Sequence, residues 1–157
     1  MRVLRLIAVL LVSAGCSHQQ AASPPTPSSG KATVAAADRP ACAQLFARLQ
    51  QVSAAIQGSS ELIANSLDKT QLSERIAYEQ SQLQQSADLM EQGPVPAALA
   101  SADHDLVAAL RAFTADFERA REPAARGDFQ AAAEAMTDTA VVTRIVNASK
   151  TIEDACT

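Results

Sequence analysis

From residue 40 onward, apolar residues return every three or four positions in four stretches, the spacing that lets a helix bury one face. The first runs from about Pro40 to Leu67, with Cys42, Leu45, Leu49, Val52, Ile56, Ile63 and Leu67 on one stripe that Phe46 widens. Asp38 is placed to cap it, and Pro40 falls in the first turn, where a missing N–H had no helical partner. Gly58, followed by Ser59 and Ser60, is its weak point. The apolar phase survives across Gly58, which predicts one long helix rather than two short ones, with any kink placed there. Asp68 and Gln71 have the spacing of a capping box opening a second stretch. Its stripe is Leu72, Ile76, Leu83, Ala87 and Met90, with Glu79 or Gln80 filling the turn between Ile76 and Leu83, and Gly93-Pro94 ends it. The third begins near Pro96 and carries Leu99, Leu106, Leu110, Phe113 and Phe117, with Pro123 and Gly127 expected to terminate it. Asp128 then caps a fourth helix bearing Phe129, Met136, Val141, Ile145, Ile152 and Cys156. Four such stretches joined by short turns predict an all-α domain over residues 40–157, an antiparallel up-down-up-down four-helix bundle. A dimerising two-helix hairpin would leave the turn signals at Asp68 and Gly127 unexplained.

Composition agrees with helices. Of the 157 residues 48% are hydrophobic but only 3% aromatic, with no Trp and one Tyr. The apolar mass is Ala, Leu and Val. Alanine loses no side-chain entropy in a helix and lets neighbouring backbones approach, whereas a sheet would favour β-branched and aromatic positions.

The first residues read differently. Arg2 and Arg5 precede an apolar run from Leu6 to Val12, which is too short to span a bilayer and has the form of a secretory leader. The small residues Ser13, Ala14 and Gly15 follow, then Cys16 and a polar stretch. Ser13-Ala14-Gly15-Cys16 resembles the lipobox of bacterial lipoproteins, although the position three before the cysteine usually holds Leu or another aliphatic residue. The resemblance implies a signal peptide, 1–15, that is removed, with Cys16 becoming the lipid-carrying first residue; a plain secreted protein cleaved near Ala14 or at Ala21–Ser23 is the alternative. Ser17 resembles an outer-membrane sorting context, since an inner-membrane retention signal would place Asp there. The implied address is the cell membrane or outer membrane, with the folded domain outside the cytoplasm.

Residues 16–39 then form the lipidated cysteine and a tether. Pro24, Pro25, Pro27, Gly30 and many Ser and Ala residues lack any apolar period, the composition of a flexible stalk. Such a stalk spans about 26 Å root-mean-square and at most about 75 Å extended. His18 lies within it as a solvated linker residue.

With Cys16 assigned to lipid, Cys42 and Cys156 remain, in a compartment where disulfides persist. They fall at the start of the first helix and the end of the fourth, which the bundle topology brings to one end. A disulfide between them would close a loop of about 100 residues, a constraint of roughly 4–5 kcal/mol in the chain-entropy model. No Cys-x-x-Cys motif points to redox catalysis.

Loss of the leader removes two arginines and no acidic residue, taking the net charge from −4 to −6. The domain therefore lacks the positive field that nucleic-acid binding requires, and any membrane association should come through the anchor. Asp103-His104-Asp105 is the one compact cluster of metal-ligand types. Adjacent helix residues point about 100° apart, so the three do not converge on one ion as they stand. His104 falls on the polar margin of the Leu99–Leu106–Leu110 stripe, the place of a surface residue. With His104 the sole histidine of residues 40–157, a Ser-His-Asp or Cys-His hydrolase is not expected. Asp116 and Glu118, two apart on a helix, face different ways and do not make a glycosidase pair. Di-iron Glu-x-x-His spacing, covalent-haem motifs and phosphate loops are missing from the sequence. Neither a metal nor a cofactor is implied, and the chain is not expected to be an enzyme.

Arg126-Gly127-Asp128 matches a tripeptide read by adhesion receptors, but Gly127 and Asp128 already have work as a helix stop and a helix cap. Tyr78 reads as a solvent-edge helix residue. The second helix, with Gln80, Gln82, Gln84 and Gln85, is polar yet little charged, which suits either partner contact or solvation. The expectation is a non-catalytic, lipid-anchored envelope protein that serves as a protein-interaction or accessory module. The competing reading is a carrier holding a small apolar ligand between its helices, lined by Phe46, Met90, Phe113, Phe117, Phe129 and Met136.

Overall fold

A computed structural model describes residues 33–157, apart from the side chains of 59–62 and 64. The expected leader, Cys16, His18 and the tether as far as residue 32 lie outside the described residues. Among those described there is no strand, and the fold is all-α: α1 (Arg39–Ala64), α2 (Lys69–Glu91), α3 (Ala100–Arg126), α4 (Phe129–Ala135) and α5 (Thr139–Cys156). Short 3-10 turns at Ala36–Asp38 and Ala97–Leu99 lead into α1 and α3. Val34, ahead of the first turn, packs against the core. No helix among the described residues is long and apolar enough to cross a membrane.

The stripes read from the sequence meet in one core. Cys42, Leu45, Leu49 and Val52 of α1 pack with Leu72, Ile76, Leu83 and Met90 of α2, Leu106, Leu110 and Phe117 of α3, and Ile152 of α5. α1 runs unbroken through Gly58 but stops at Ala64, short of the expected Leu67. The reason lies in the next helix. Asp68 caps α2 by accepting from the Gln71 N–H at 2.9 Å, which demands an extended backbone at Asp68 (φ −146°, ψ 173°) and forces the chain out of helix beforehand. Leu67 is consequently 86% exposed rather than on the α1 stripe.

α3 also departs from expectation. Pro123 does not end it; the helix continues to Arg126 and stops at Gly127, whose φ of +82° is left-handed. The Gly127 N–H reaches the Ala124 carbonyl and the Asp128 N–H reaches the Pro123 carbonyl, each at 2.9 Å, the double bond of a Schellman cap. Pro123 is tolerated because it lies in the last turn, where its missing N–H costs one helical bond and the cap secures the turn that follows.

The fourth stretch is two helices, not one. Asp138 interrupts it, its Oδ1 accepting from Ala140 N–H (2.9 Å) and Val141 N–H (3.2 Å) to start α5 afresh. The seven residues of α4 bury Ala132 against α3 and leave Phe129, expected on the core face, 45% exposed. The last 18-residue helix, α5, packs on α3 and α1 and ends in the Cys42–Cys156 disulfide, with the two Cα atoms 5.4 Å apart.

That bond holds the chain's final helix to its first. Cys156→Ser is expected to lower the unfolding free energy by about 2–4 kcal/mol, with far-ultraviolet circular dichroism nearly unchanged. Denaturant titration of the two proteins side by side measures it; equal midpoints would show that packing alone fastens α5.

Candidate functional surfaces

The structure separates the residues of the Asp103-His104-Asp105 cluster. His104 and Asp105 project into solvent with 3.8 Å between Nδ1 and Oδ1, while Asp103 turns inward and is half-buried. Burial raises the Asp103 carboxyl above its ordinary value, opposed by the Arg48 guanidinium, reinforced by Glu91 and opposed again by His104. Among the described residues no three His, Cys, Asp or Glu side chains are placed to hold a metal ion.

Arg48 had not stood out in the sequence, yet it is 8% exposed and organises this end of the molecule. Its Nη2 donates to the Pro94 carbonyl at 3.2 Å, tying α1 to the α2–α3 connection. Beside it, Arg111 pairs with Glu91 at 2.7 Å. Gly93 closes over the guanidinium with φ +90°, and a Cβ there would stand 2.8 Å from Arg48 Nη1. Arg48 sits three residues after Leu45 and four before Val52, in register with the apolar stripe. That register was the available signal.

Asp116 is the second inward carboxylate. It is 2% exposed and accepts from Arg119, whose own side chain is mostly in solvent. Glu118 lies on the outer surface, accepting from Gln80 at 2.6 Å and Arg121 at 3.3 Å, and these hydrogen bonds hold its carboxyl below the ordinary range. Glu79, rather than Gln80, takes the buried position between Ile76 and Leu83. Asp116 thus meets its partner one turn along its own helix, while its inward turn is set by how α3 packs.

The other singled-out residues scatter. Arg126 pairs with Glu122, Gly127 ends α3 and Asp128 caps α4 through the Ala131 N–H at 3.0 Å. The six apolar lining candidates do not share one environment. Met90 and Phe117 are buried, Phe117 meets Phe113 edge-on at 5.1 Å between centroids, Phe46 and Met136 are partly buried, and Phe129 faces solvent. A cleft open to solvent between α2 and α3 is bordered by Ser73, Ala77, Glu118, Arg121 and Glu122. A second depression, at the α4–α5 elbow, is bordered by Arg119, Glu134, Thr137 and Asp138. Leu67, Tyr78, Phe129, Val142 and Val146 are large apolar side chains left exposed.

No protein family, curated protein or solved structure matches this chain.

Two glycines should respond oppositely to alanine. Gly58 lies inside α1, where an added Cβ meets nothing within 4 Å among the described residues, so Gly58→Ala is expected to stabilise by up to about 1 kcal/mol. Gly93→Ala combines a strained backbone with a collision at Arg48 and should destabilise by about 1–3 kcal/mol. Thermal melts of both variants check the signs.

Asp103 predicts a pH dependence. A folded-state carboxyl value above the unfolded one means that ionisation disfavours the folded state. That penalty is complete above the folded value and vanishes as pH falls below the unfolded value, near 3.8. Asp103→Asn should therefore be more stable than the parent at pH 7 and converge with it at the acid end of a denaturation series. A variant less stable at pH 7 would mean that attraction to Arg48 outweighs burial.

Proposed function

We propose that the chain is a non-catalytic bacterial lipoprotein, anchored through Cys16 to the cell membrane or outer membrane, whose helical domain works outside the cytoplasm as a protein-interaction or accessory module. The observation that carries this reading is the Cys42–Cys156 disulfide downstream of a leader that ends in Ser13-Ala14-Gly15, directly before Cys16. A disulfide of this kind persists in oxidising compartments, which a cleaved leader would reach. We read α1, α2, α3 and α5 as an up-down-up-down bundle, with α4 an elbow in its last connection. Leu67, Tyr78, Phe129, Val142 and Val146 remain in solvent and are the apolar groups such a role would use.

Metabolic labelling with a lipid precursor, comparing the parent with Cys16→Ala, tests the anchor. Label in the parent and its loss in an exported Cys16→Ala chain are expected; equal labelling would remove the anchor. Capture of the native protein from its membranes, with bound proteins and small molecules both identified, tests the role. A saturable protein partner is expected, and a stoichiometric small molecule without one would point to a carrier instead.

A further inference from the structure

We infer that Arg48 and Asp103 hold one internal water between them, so that α1 and α3 are joined by a water-bridged ion pair. The site goes beyond the interaction reading and does not depend on it.

The site is built from Arg48. Its Nη2 is committed to the Pro94 carbonyl at 3.2 Å. Its Nη1 is closed off by Gly93, where a Cβ would stand 2.8 Å away. That leaves Nε, which is buried and whose proton no group of the protein accepts. With the residue only 8% exposed, bulk solvent does not reach this N–H either. A buried donor of this kind is rarely left unmatched.

Asp103 supplies the complementary acceptor. Its Oδ1 is buried and accepts from no group of the protein. The Arg48 charge acts on this carboxyl against the effect of burial, which sets the two side chains in one neighbourhood. They are nevertheless not in direct contact. No Arg48 nitrogen lies within 4.0 Å of an Asp103 oxygen among the ion pairs of the described residues. A gap wider than a direct bond, with a buried N–H on one side and a buried carboxylate oxygen on the other, suits one water. It accepts from Nε and donates to Oδ1.

Charge selects against other occupants. A cation would lie against the Arg48 guanidinium, and an anion would face Asp103 with Glu91 nearby, whose charge already raises the Asp103 carboxyl. Glu91 itself is engaged by Arg111 at 2.7 Å. What fits is a small neutral molecule that accepts one hydrogen bond and donates another. Leu45 and Leu106, three positions from Arg48 and Asp103 on the same helices, have no exposed surface, so the surroundings are apolar and enclosed. With the water in place, one arginine reaches the α2–α3 connection through Nη2 and α3 through Nε, which accounts for its position in the apolar stripe of α1.

The test uses the full chain purified from its membranes in detergent, with its arginine side chains labelled with nitrogen-15. Magnetisation transfer from water to the Arg48 Nε–H, recorded in the laboratory and rotating frames, separates a bound water from proton exchange with bulk by the sign of the cross-peak. Asp103→Asn keeps an acceptor oxygen, whereas Asp103→Leu keeps a similar side-chain shape without one. The expected result is a bound-water cross-peak in the parent and in Asp103→Asn that disappears in Asp103→Leu. A crystal structure should show one water about 2.7–3.2 Å from both Nε and Oδ1. A direct Nε–Oδ1 hydrogen bond, an Nε–H that only exchanges with bulk, or a cross-peak undiminished in Asp103→Leu would each overturn the site. If Asp103→Leu does not fold, the parent and Asp103→Asn decide: water on both atoms supports the site, and direct contact or no ordered water overturns it.

Discussion

The Cys42–Cys156 bond joins the first turn of α1 to the last turn of α5, and the rest of the fold answers to that closure. With the Cα atoms 5.4 Å apart, every intervening helix must deliver the chain back to where it started. The three places where it turns are each secured by different local chemistry. Asp68 and Gln71 hold the first, the left-handed Gly93 over Arg48 holds the second, and the Gly127 cap followed by the Asp138 cap holds the third. α4 exists because the last helix is only 18 residues long against 27 in α3; a separate short segment covers the far end of α3 with Ala132.

The core is built from small and aliphatic residues. Ala87, Ala109, Ala120, Ala124, Ala132 and Ala148 are all buried, so helices approach closely and little volume is left for aromatic rings. Phe113 and Phe117, set edge to face, are a local exception. Into this apolar interior the fold admits Arg48, Glu79 and Asp116. Each costs desolvation, which interactions offset in part, the Pro94 carbonyl for Arg48 and the Arg119 guanidinium for Asp116 among them. These groups fix how elements are placed more than they add net stability.

What the sequence made legible was what short-range chemistry decides. The Asp68–Gln71 box, the Gly127 stop, the core stripes from Cys42 to Ile152 and the pairing of the two domain cysteines could all be read from spacing and residue type. Three features could not. The break at Asp138 is hidden because Phe129–Ala135 is mostly alanine and carries no stripe whose phase could visibly slip. Pro123 reads as a stop, yet near the end of a helix its penalty is small and the Schellman cap outweighs it. The inward turn of Asp103 and Asp116, against the outward turn of His104 and Glu118, follows from which face α3 offers its neighbours. That face is a property of packing.

We propose a picture in which a disulfide-closed helical domain is tethered through its amino terminus. Its central claim is that the three cysteines have two distinct fates. Intact-mass and peptide-level mass spectrometry of the mature chain, purified from its membranes without reductant, measures both at once. The account predicts a chain beginning at a lipid-modified Cys16 with Cys42 linked to Cys156 in the same molecule. An unmodified Cys16 within a longer or differently cleaved amino terminus, or free thiols at Cys42 and Cys156, would contradict it.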